Sequence, residues 1–257
     1  MNMQFVLALI MGMFVGGLAG YIGSLMLTRR MSLMGGALGH LALPGIALAM
    51  YFKFDISIGA LIFLIVGITI IWGIWHITNL PTEAITAVVF PAAMSTTFLF
   101  LPKTKTIPAL IGDISSITIQ SALITIITSL IICIITKKIF KRMVLISISP
   151  DIAKTKEINV KKYNFIYLIC IAITVALGVR IVGGLMTAAL VAIPASTSKN
   201  VSKSLLMYST LSIFLGIISS FIGIIAFKYT NIAAGPLIII SSSSLFLLSL
   251  ILKKRIK

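Results

Sequence analysis

Acidic residues are scarce in this sequence of 257 residues, which has 5 Asp and Glu against 21 Lys and Arg. Charged residues make up only 10% of the chain, whereas a soluble domain carries roughly 25%. Such a chain has too little polarity to cover a soluble globule, and 59% hydrophobic residues exclude a disordered protein. A nucleic-acid-binding protein can be this basic but is not this apolar, so we expect no nucleic-acid partner. The composition indicates a membrane protein.

The sequence also lacks the motifs of an enzyme. No Gly is followed by Lys, so the chain has no phosphate-binding loop of the type that holds ATP. Neither a His-x3-His nor a Cys-x2-Cys metal signature is present, and Cys133 and Cys170 both lie in apolar stretches. We therefore expect no catalytic residues and no bound cofactor, and any ATP hydrolysis must occur on another polypeptide.

Long charge-free windows are what the sequence does contain. Since a helix needs about 20 apolar residues to cross a hydrocarbon core of about 30 Å, each window predicts one membrane span. The chain is thus predicted to be an all-α, polytopic transmembrane helix bundle of about nine spans. Only Arg180 separates the sixth window from the seventh, and one broken helix there would give eight. The windows are Met1–Thr28, Met31–Phe52, Ile56–Thr82, Ala84–Pro102, Ile114–Thr136, Tyr163–Val179, Ile181–Ser198, Ser204–Phe227 and Tyr229–Leu252.

The basic residues predict the orientation of the bundle. If nine spans alternate, one side receives Arg29 and Arg30, the segment Lys137–Lys162, Lys199 with Lys203, and the tail Lys253–Lys257. Positive loops stay in the cytoplasm, so the N-terminus is expected outside and the C-terminus inside. Residues 1–257 then form a single transmembrane domain, with residues 137–162 as a cytoplasmic loop that is too short to be a domain.

Two segments of the chain are candidates for function. His40 follows Gly35, Gly36 and Gly39 and precedes Pro44 in one window. A histidine within a membrane is either a hydrogen-bonded packing residue or a ligand, and the surrounding glycines leave space for a substrate. His76, beside Trp72 and Trp75, is better explained as part of an interfacial aromatic belt.

The second segment comprises residues 194–204, which we name the coupling segment. It contains Pro194, Ala195, Ser196, Thr197, Lys199 and Lys203. Proline in a first helical turn with Ser and Thr capping residues is consistent with a short helix on the cytoplasmic side. Such a helix could contact a cytoplasmic partner, while the alternative is an ordinary connecting loop.

Three stretches together resemble the zinc/manganese-type permease subunits of bacterial ABC importers. Residues 29–45 read RRMSLMGGALGHLALPG, similar to the family pattern R-R-M-x-L-x-G-D-A-x-S-H-x-x-L-P-G. Residues 110–114 read LIGDI, similar to L-x-G-D/S-I. Residues 182–197 read VGGLMTAALVAIPAST, similar to V-G-x-L-L-x-x-A-L-L-x-x-P-A-A-T-A, and Gly235-Pro236 is also in place. The resemblance extends along essentially the whole chain.

This resemblance implies a multi-pass permease in the bacterial cytoplasmic (inner) membrane that imports a divalent metal ion, zinc or manganese or else iron. It further implies a homodimeric pore, an extracytoplasmic metal-binding protein and a separate cytoplasmic ABC ATPase that supplies the energy. The coupling segment would contact that ATPase. His40 would bind the passing metal, with Gly35, Gly36, Gly39 and Pro44 lining the pathway.

One departure from the family pattern affects the expected cargo. The family places Asp and His four residues apart on one helix face, where both can ligate a divalent metal. In this sequence the Asp position is Gly36 and the Ser position is Gly39, so that only His40 remains. Two alternatives therefore stay open, namely a permease for a metal chelate or another small cargo, and a membrane scaffold that transports nothing.

Overall fold

The computed structural model describes residues 3–29, 31–78, 80–100, 111–112, 117–184, 186–230 and 232–256. Within these ranges the protein is all-α and contains no strand. Arg30, the loop at 101–110, Asp113 and Lys257 lie outside the described residues. The helices are α1 (Met3–Thr28), α2 (Ser32–Leu41), α3 (Leu43–Phe52), α4 (Ile56–Thr78), α5 (Thr82–Phe100), α6 (Ile119–Ile148), α7 (Pro150–Thr155), α8 (Val160–Val182), α9 (Thr187–Val201), α10 (Leu205–Thr230) and α11 (Ala234–Ile256).

Each of the nine charge-free windows contains helix, and within the described residues seven helical segments are long and apolar enough to span a membrane. The helices in the remaining two windows are shorter. They are the apolar part of α5, Ala84–Thr97, and α9, which has 15 residues. At about 1.5 Å per residue, α9 covers only about 23 Å. Seven of the nine predicted spans therefore coincide with helical segments of sufficient length and apolarity, and these two do not.

The basic segment at residues 137–162 is mostly helical. α6 continues through Lys137 to Ile148, α7 follows at Pro150, and α8 begins at Val160. Ser149 accepts a hydrogen bond from the backbone N–H of Ile152, and this cap starts α7. A helix continues from membrane to water without interruption because its backbone hydrogen bonds are internal in both media.

Glycines allow α1 and α10 to pack at backbone distance. A Cβ atom at Gly16 would collide with the carbonyl oxygen of Gly216, and one at Gly20 with the carbonyl oxygen of Ser212. The four-residue spacing of Gly12, Gly16 and Gly20 places them on one face of α1. The spacing of these glycines therefore determines which partner α1 packs against.

In the second window α2 and α3 are separated by one residue, Ala42, whose backbone keeps α-helical dihedral angles two residues before Pro44. Proline lacks the N–H that would bond to the carbonyl of His40 in a continuous helix. Pro44 instead occupies the first turn of α3, which its fixed φ angle favours. Beyond Pro44, Gly45 and Gly59 let the backbones of α3 and α4 cross closely, since a Cβ on either would meet the other's carbonyl oxygen.

Polar contacts show which helix ends lie together. At one end, the Nζ atom of Lys161 is 3.1 Å from Nε2 of His76, which joins the beginning of α8 to the end of α4. At the opposite end, Nη2 of Arg180 lies 3.0 Å from Oδ2 of Asp55, which joins the end of α8 to the beginning of α4. The basic segment between α6 and α8 thus lies at the His76 end of the bundle.

Pro194 does not start a new helix. It lies within α9, seven residues after the first residue, Thr187, and it is buried. The expected start of the coupling segment at Pro194 is wrong, because the turn before Pro194 supplies helical geometry and only one backbone hydrogen bond is lost. α9 ends at Val201, and Ser202 has extended backbone geometry.

Candidate functional site

His40 occupies the last turn of α2, just before the junction with α3. Its imidazole is half-buried and stacks on the ring of Phe90 from α5, with centroids 4.9 Å apart and an interplanar angle of 29°. The aromatic contact fixes the plane of the imidazole. The orientation of His40 therefore depends on α5, and the sequence around His40 does not predict this contact.

The Nδ1 atom of His40 is buried and has no hydrogen-bond partner among the described residues. Buried polar side-chain atoms are nearly always hydrogen-bonded, and each exception requires an explanation. The unpaired Nδ1 therefore leaves a ring nitrogen of His40 available to a ligand. A neutral imidazole nitrogen is a common ligand for zinc, copper, iron and nickel.

The two glycines that replace family residues have different surroundings. Among the described side chains, a Cβ atom at Gly36 would have only the Cβ of Ala188 nearby, at 3.8 Å, which is an ordinary contact. A Cβ atom at Gly39 would collide with the carbonyl oxygen of Gly184 and would lie 2.7 Å from Oγ1 of Thr187. The position of the family Asp is therefore open, whereas the position of the family Ser is closed by α9.

The other expected pathway residues are enclosed by neighbouring helices. Gly35 is buried, with Met26 and Ala188 as its nearest neighbours, and Pro44 is buried in the first turn of α3. Among the described residues, no group of three or more His, Cys, Asp or Glu side chains could hold a metal. His40 thus offers one imidazole between α2, α5 and α9, which suits transient contact with a passing ion rather than tight binding.

The coupling segment is buried on one face and exposed on the other. Pro194, Ala195 and Thr197 are buried, Ser196 is half-buried, and Lys199 and Lys203 are exposed. The hydroxyl of Ser198 donates a hydrogen bond to the carbonyl oxygen of Tyr208 over 2.7 Å, which holds the end of α9 to the start of α10. The exposed residues that follow include Leu206, whose side chain is 77% exposed.

Aromatic side chains surround Arg29 and His76 at the same end of the bundle. The Arg29 guanidinium lies 5.8 Å from the centre of the Tyr167 ring, and burial lowers the pKa of Arg29 while Tyr167 raises it. Trp72 meets His76 edge-on at 5.6 Å. His76 itself is exposed and contacts Lys161 at the beginning of α8.

Some contributors to these sites were missed in the sequence. Phe90 and Ala188 face His40 and Gly36 from other helices, and no local pattern marks them. The pair of Arg180 and Asp55 did leave a signal, because Arg180 is the lone charge between two apolar windows. A lone charge in such a place calls for a partner of opposite sign.

The long apolar helices among the described residues define a polytopic, α-helical membrane protein. The ABC 3 transport family profile matches residues 2–253, nearly the whole chain. The protein therefore belongs to the ABC 3 transport family.

Relatives and solved structures support this membership. The chain is 27% identical over 246 residues to the manganese import system permease protein ScaB of Streptococcus parasanguinis, covering 94% of this chain and 88% of ScaB. It is 29% identical over 248 residues to the high-affinity zinc uptake system membrane protein ZnuB of Buchnera aphidicola, covering 93% of this chain and 94% of ZnuB. The structure of PsaBC from Streptococcus pneumoniae in complex with Fab matches with a TM-score of 0.82 and 26% identity, covering 94% of this chain and 89% of that one.

A second solved structure shares the fold at lower identity. It is an inward-facing conformation of a metal-chelate type ABC transporter, with a TM-score of 0.75, 16% identity, and coverage of 95% of this chain and 85% of that one. At this identity the similarity shows the fold alone.

Proposed function

We propose that this protein is the permease subunit of an ABC importer that carries a divalent metal ion, zinc or manganese or else iron, across the bacterial cytoplasmic membrane. The observation that supports this most is the family match over residues 2–253, together with relatives that are manganese and zinc permeases. The chain itself performs no chemistry. ATP is hydrolysed on a partner ATPase, and the metal is cargo rather than a resident cofactor.

His40 is the proposed contact of the metal in the membrane. Its unpaired Nδ1 and its position at the junction between α2 and α3 support this role. A continuous helix presents only side chains to a substrate, whereas a broken helix also presents backbone carbonyl oxygens near the break. Gly36 leaves space beside the imidazole for the ion and for the water that it retains.

The exposed end of α9 is the proposed contact of the ATPase. Lys199 and Lys203 point away from the bundle, and the hydrogen bond between Ser198 and Tyr208 fixes this end rigidly to α10. Movement of the ATPase would thereby be passed to α9, which packs on α2 beside Gly36 and Gly39. Pro194, Ala195 and Thr197 would transmit this movement from within the bundle, and Ser196 from its margin.

The expected orientation, with the N-terminus outside and the C-terminus in the cytoplasm, places the His76 end of the bundle inside. A binding protein would then deliver the ion at the opposite end, near Asp55 and Arg180. Two copies of the permease would form the pore.

Cellular metal content tests the role of His40. We expect His40→Ala to lower ATP-dependent accumulation of zinc or manganese, measured by elemental analysis of cells in which this importer is the sole uptake route. His76→Ala is the matched control, because it removes the other histidine of the chain at an exposed site. Undiminished uptake in the His40 variant would remove this residue from the pathway.

A metal chelate is the second candidate cargo. It is favoured by one observation, namely that Gly36 supplies open space where the family supplies a carboxylate. A chelated metal is already coordinated and needs room more than ligands. Uptake of the radioactive metal as free ion and as a preformed chelate, measured side by side, distinguishes the two cargos.

A further inference from the structure

A groove on the side of the bundle is lined by neither His40 nor the proposed pathway residues Gly35, Gly36, Gly39 and Pro44. Its floor is α8, and its walls are α4 and α6, which both pack against α8 and make few contacts with each other. The groove encloses about 370 Å³ at the end of the bundle where Arg180 pairs with Asp55. This volume lies within the range of about 300–1,000 Å³ that is typical of small-molecule sites.

The chemistry of the groove changes with depth. Asp55, Arg180 and Thr118 lie at its mouth, where α4 and α6 begin and α8 ends. Leu177 lies about one turn into the bundle along α8 and Ile173 two turns, about 11 Å, with Ile124 on the facing wall. The groove is therefore charged at the membrane surface and mainly apolar below it, with Thr125 and Thr128 as polar lining residues on α6.

The mouth carries one charge of each sign. Arg180 is 13% exposed and Asp55 34% exposed, so the carboxylate remains accessible beside a nearly buried guanidinium. The Nε atom of Arg180 is buried and has no partner among the described residues. The start of α6 adds partial positive charge close by, which favours an anionic group. These groups match a ligand that carries both a phosphate and an ammonium and has no net charge.

The groove opens sideways rather than toward the inside of the bundle. Ile58 and Ile124 on its two walls are each 55% exposed, and Leu123 beside it is 54% exposed. Exposed isoleucine and leucine on a membrane helix face lipid chains. A ligand can thus enter from the bilayer with an apolar part still in lipid.

We infer that this groove binds one zwitterionic phospholipid, with its phosphate at Arg180, its ammonium at Asp55 and an acyl chain along Ile124 and Leu177. The volume accommodates a headgroup and glycerol, and the chains continue along the exposed face of α6. A lipid held there would contact α4, α6 and α8 together. By the proposed orientation it belongs to the outer leaflet.

The test measures lipid binding to the full-length protein by native mass spectrometry. The purified, delipidated chain is titrated with phosphatidylethanolamine, phosphatidylglycerol and glycerophosphoethanolamine, which is the headgroup without chains. We expect one phosphatidylethanolamine per chain, with weaker binding of the other two. Arg180→Gln should weaken binding about tenfold, as expected for the loss of a charge-assisted hydrogen bond.

A second variant keeps the test decisive if Arg180→Gln does not fold. Ile124→Trp fills the apolar part of the groove from an exposed position and should abolish binding. Ile240→Trp is its matched control, because Ile240 is 61% exposed on α11, a helix that contributes no residue to the groove. Unchanged binding in Ile124→Trp would overturn the site. If glycerophosphoethanolamine bound as tightly as phosphatidylethanolamine, the proposed role of the acyl chains would be overturned. If phosphatidylglycerol bound as tightly as phosphatidylethanolamine, the proposed contact of the ammonium with Asp55 would be overturned.

Discussion

Arg180 and Asp55 form an ion pair over 3.0 Å between the last turn of α8 and the residue that precedes α4. The same carboxylate caps α4, because its Oδ1 accepts the backbone N–H groups of Ser57 at 2.8 Å and Ile58 at 3.3 Å. One side chain therefore starts a helix and holds that helix to another. The pair explains how Arg180 is accommodated in an otherwise apolar helix.

Two substitutions at Asp55 separate its two roles. Asn caps a helix about as well as Asp, so Asp55→Asn should lose only the ion pair. We expect the free energy of unfolding to fall by about 1–2 kcal/mol, which is less than for a fully buried pair because Asp55 is partly exposed. Asp55→Ala should lose about 1 kcal/mol more, because the cap is lost too. The measurement is thermal unfolding of the purified chain in detergent.

The control for this series is Asp151→Asn. Asp151 pairs with Lys154 at 3.1 Å, but their side chains are 88% and 67% exposed. We expect no change in its melting temperature, since exposed pairs contribute little. Equal melting temperatures for Asp55→Asn and the unsubstituted protein would show that the ion pair adds nothing.

Gly20→Ala should destabilise the bundle, whereas Gly73→Ala should not. The added methyl group at Gly20 meets the backbone of Ser212, which cannot move without separating α1 from α10, and overpacking of this kind costs about 1–3 kcal/mol. A methyl group added at Gly73 would have no neighbouring atom within 4 Å, and alanine favours helix by about 0.5–1 kcal/mol. Paired thermal melts test this prediction, and equal effects of the two substitutions would contradict it.

Gly36→Asp should strengthen metal binding. The carboxylate would lie one turn before His40 on the same helix face, in a position where, of the described side chains, only Ala188 is near. A second ligand should raise the affinity for zinc or manganese at least about tenfold, as even outer-shell partners change metal affinity by about 10–100-fold. Calorimetric titration of the purified chain measures it.

Gly36→Asn is the control for this prediction, since it has the same shape without the charge. Equal affinity in the Asp and Asn variants would show that the charge does not reach the ion. Gly39→Ser, which also restores a family residue, should instead lower stability because α9 leaves no room for a side chain there.

The difference between Gly36 and Gly39 shows where sequence reasoning reaches its limit. Charge-free windows predict helices because the membrane forces an apolar segment to bond internally, and each of the nine windows does contain helix among the described residues. The windows do not define helix ends, however. α6 runs on past Lys137 because polarity alone does not break a helix. Whether a glycine is open or closed depends on α9, which is remote in sequence.

The same reasoning explains the two outcomes for proline. Pro44 and Pro194 are both preceded by helix-compatible apolar residues, yet α2 and α3 are separated before Pro44 whereas α9 continues through Pro194. α9 is held on both sides of Pro194 by α1, α10 and α11, so that packing compensates for the missing hydrogen bond. Tertiary packing of this kind is not visible in the local sequence.

Charge reversal at the exposed end of α9 should uncouple the permease from its ATPase. Lys199→Glu with Lys203→Glu changes two exposed residues of the coupling segment while leaving its buried face intact, so the bundle should fold normally. We expect less ATPase to co-purify with the permease, and a corresponding fall in metal uptake. Lys228→Glu is the matched control because Lys228 lies at the other end of the bundle, 5.4 Å from the centre of the Phe5 ring. Normal co-purification in the double variant, or an equal loss in the control, would contradict contact of the ATPase with these lysines.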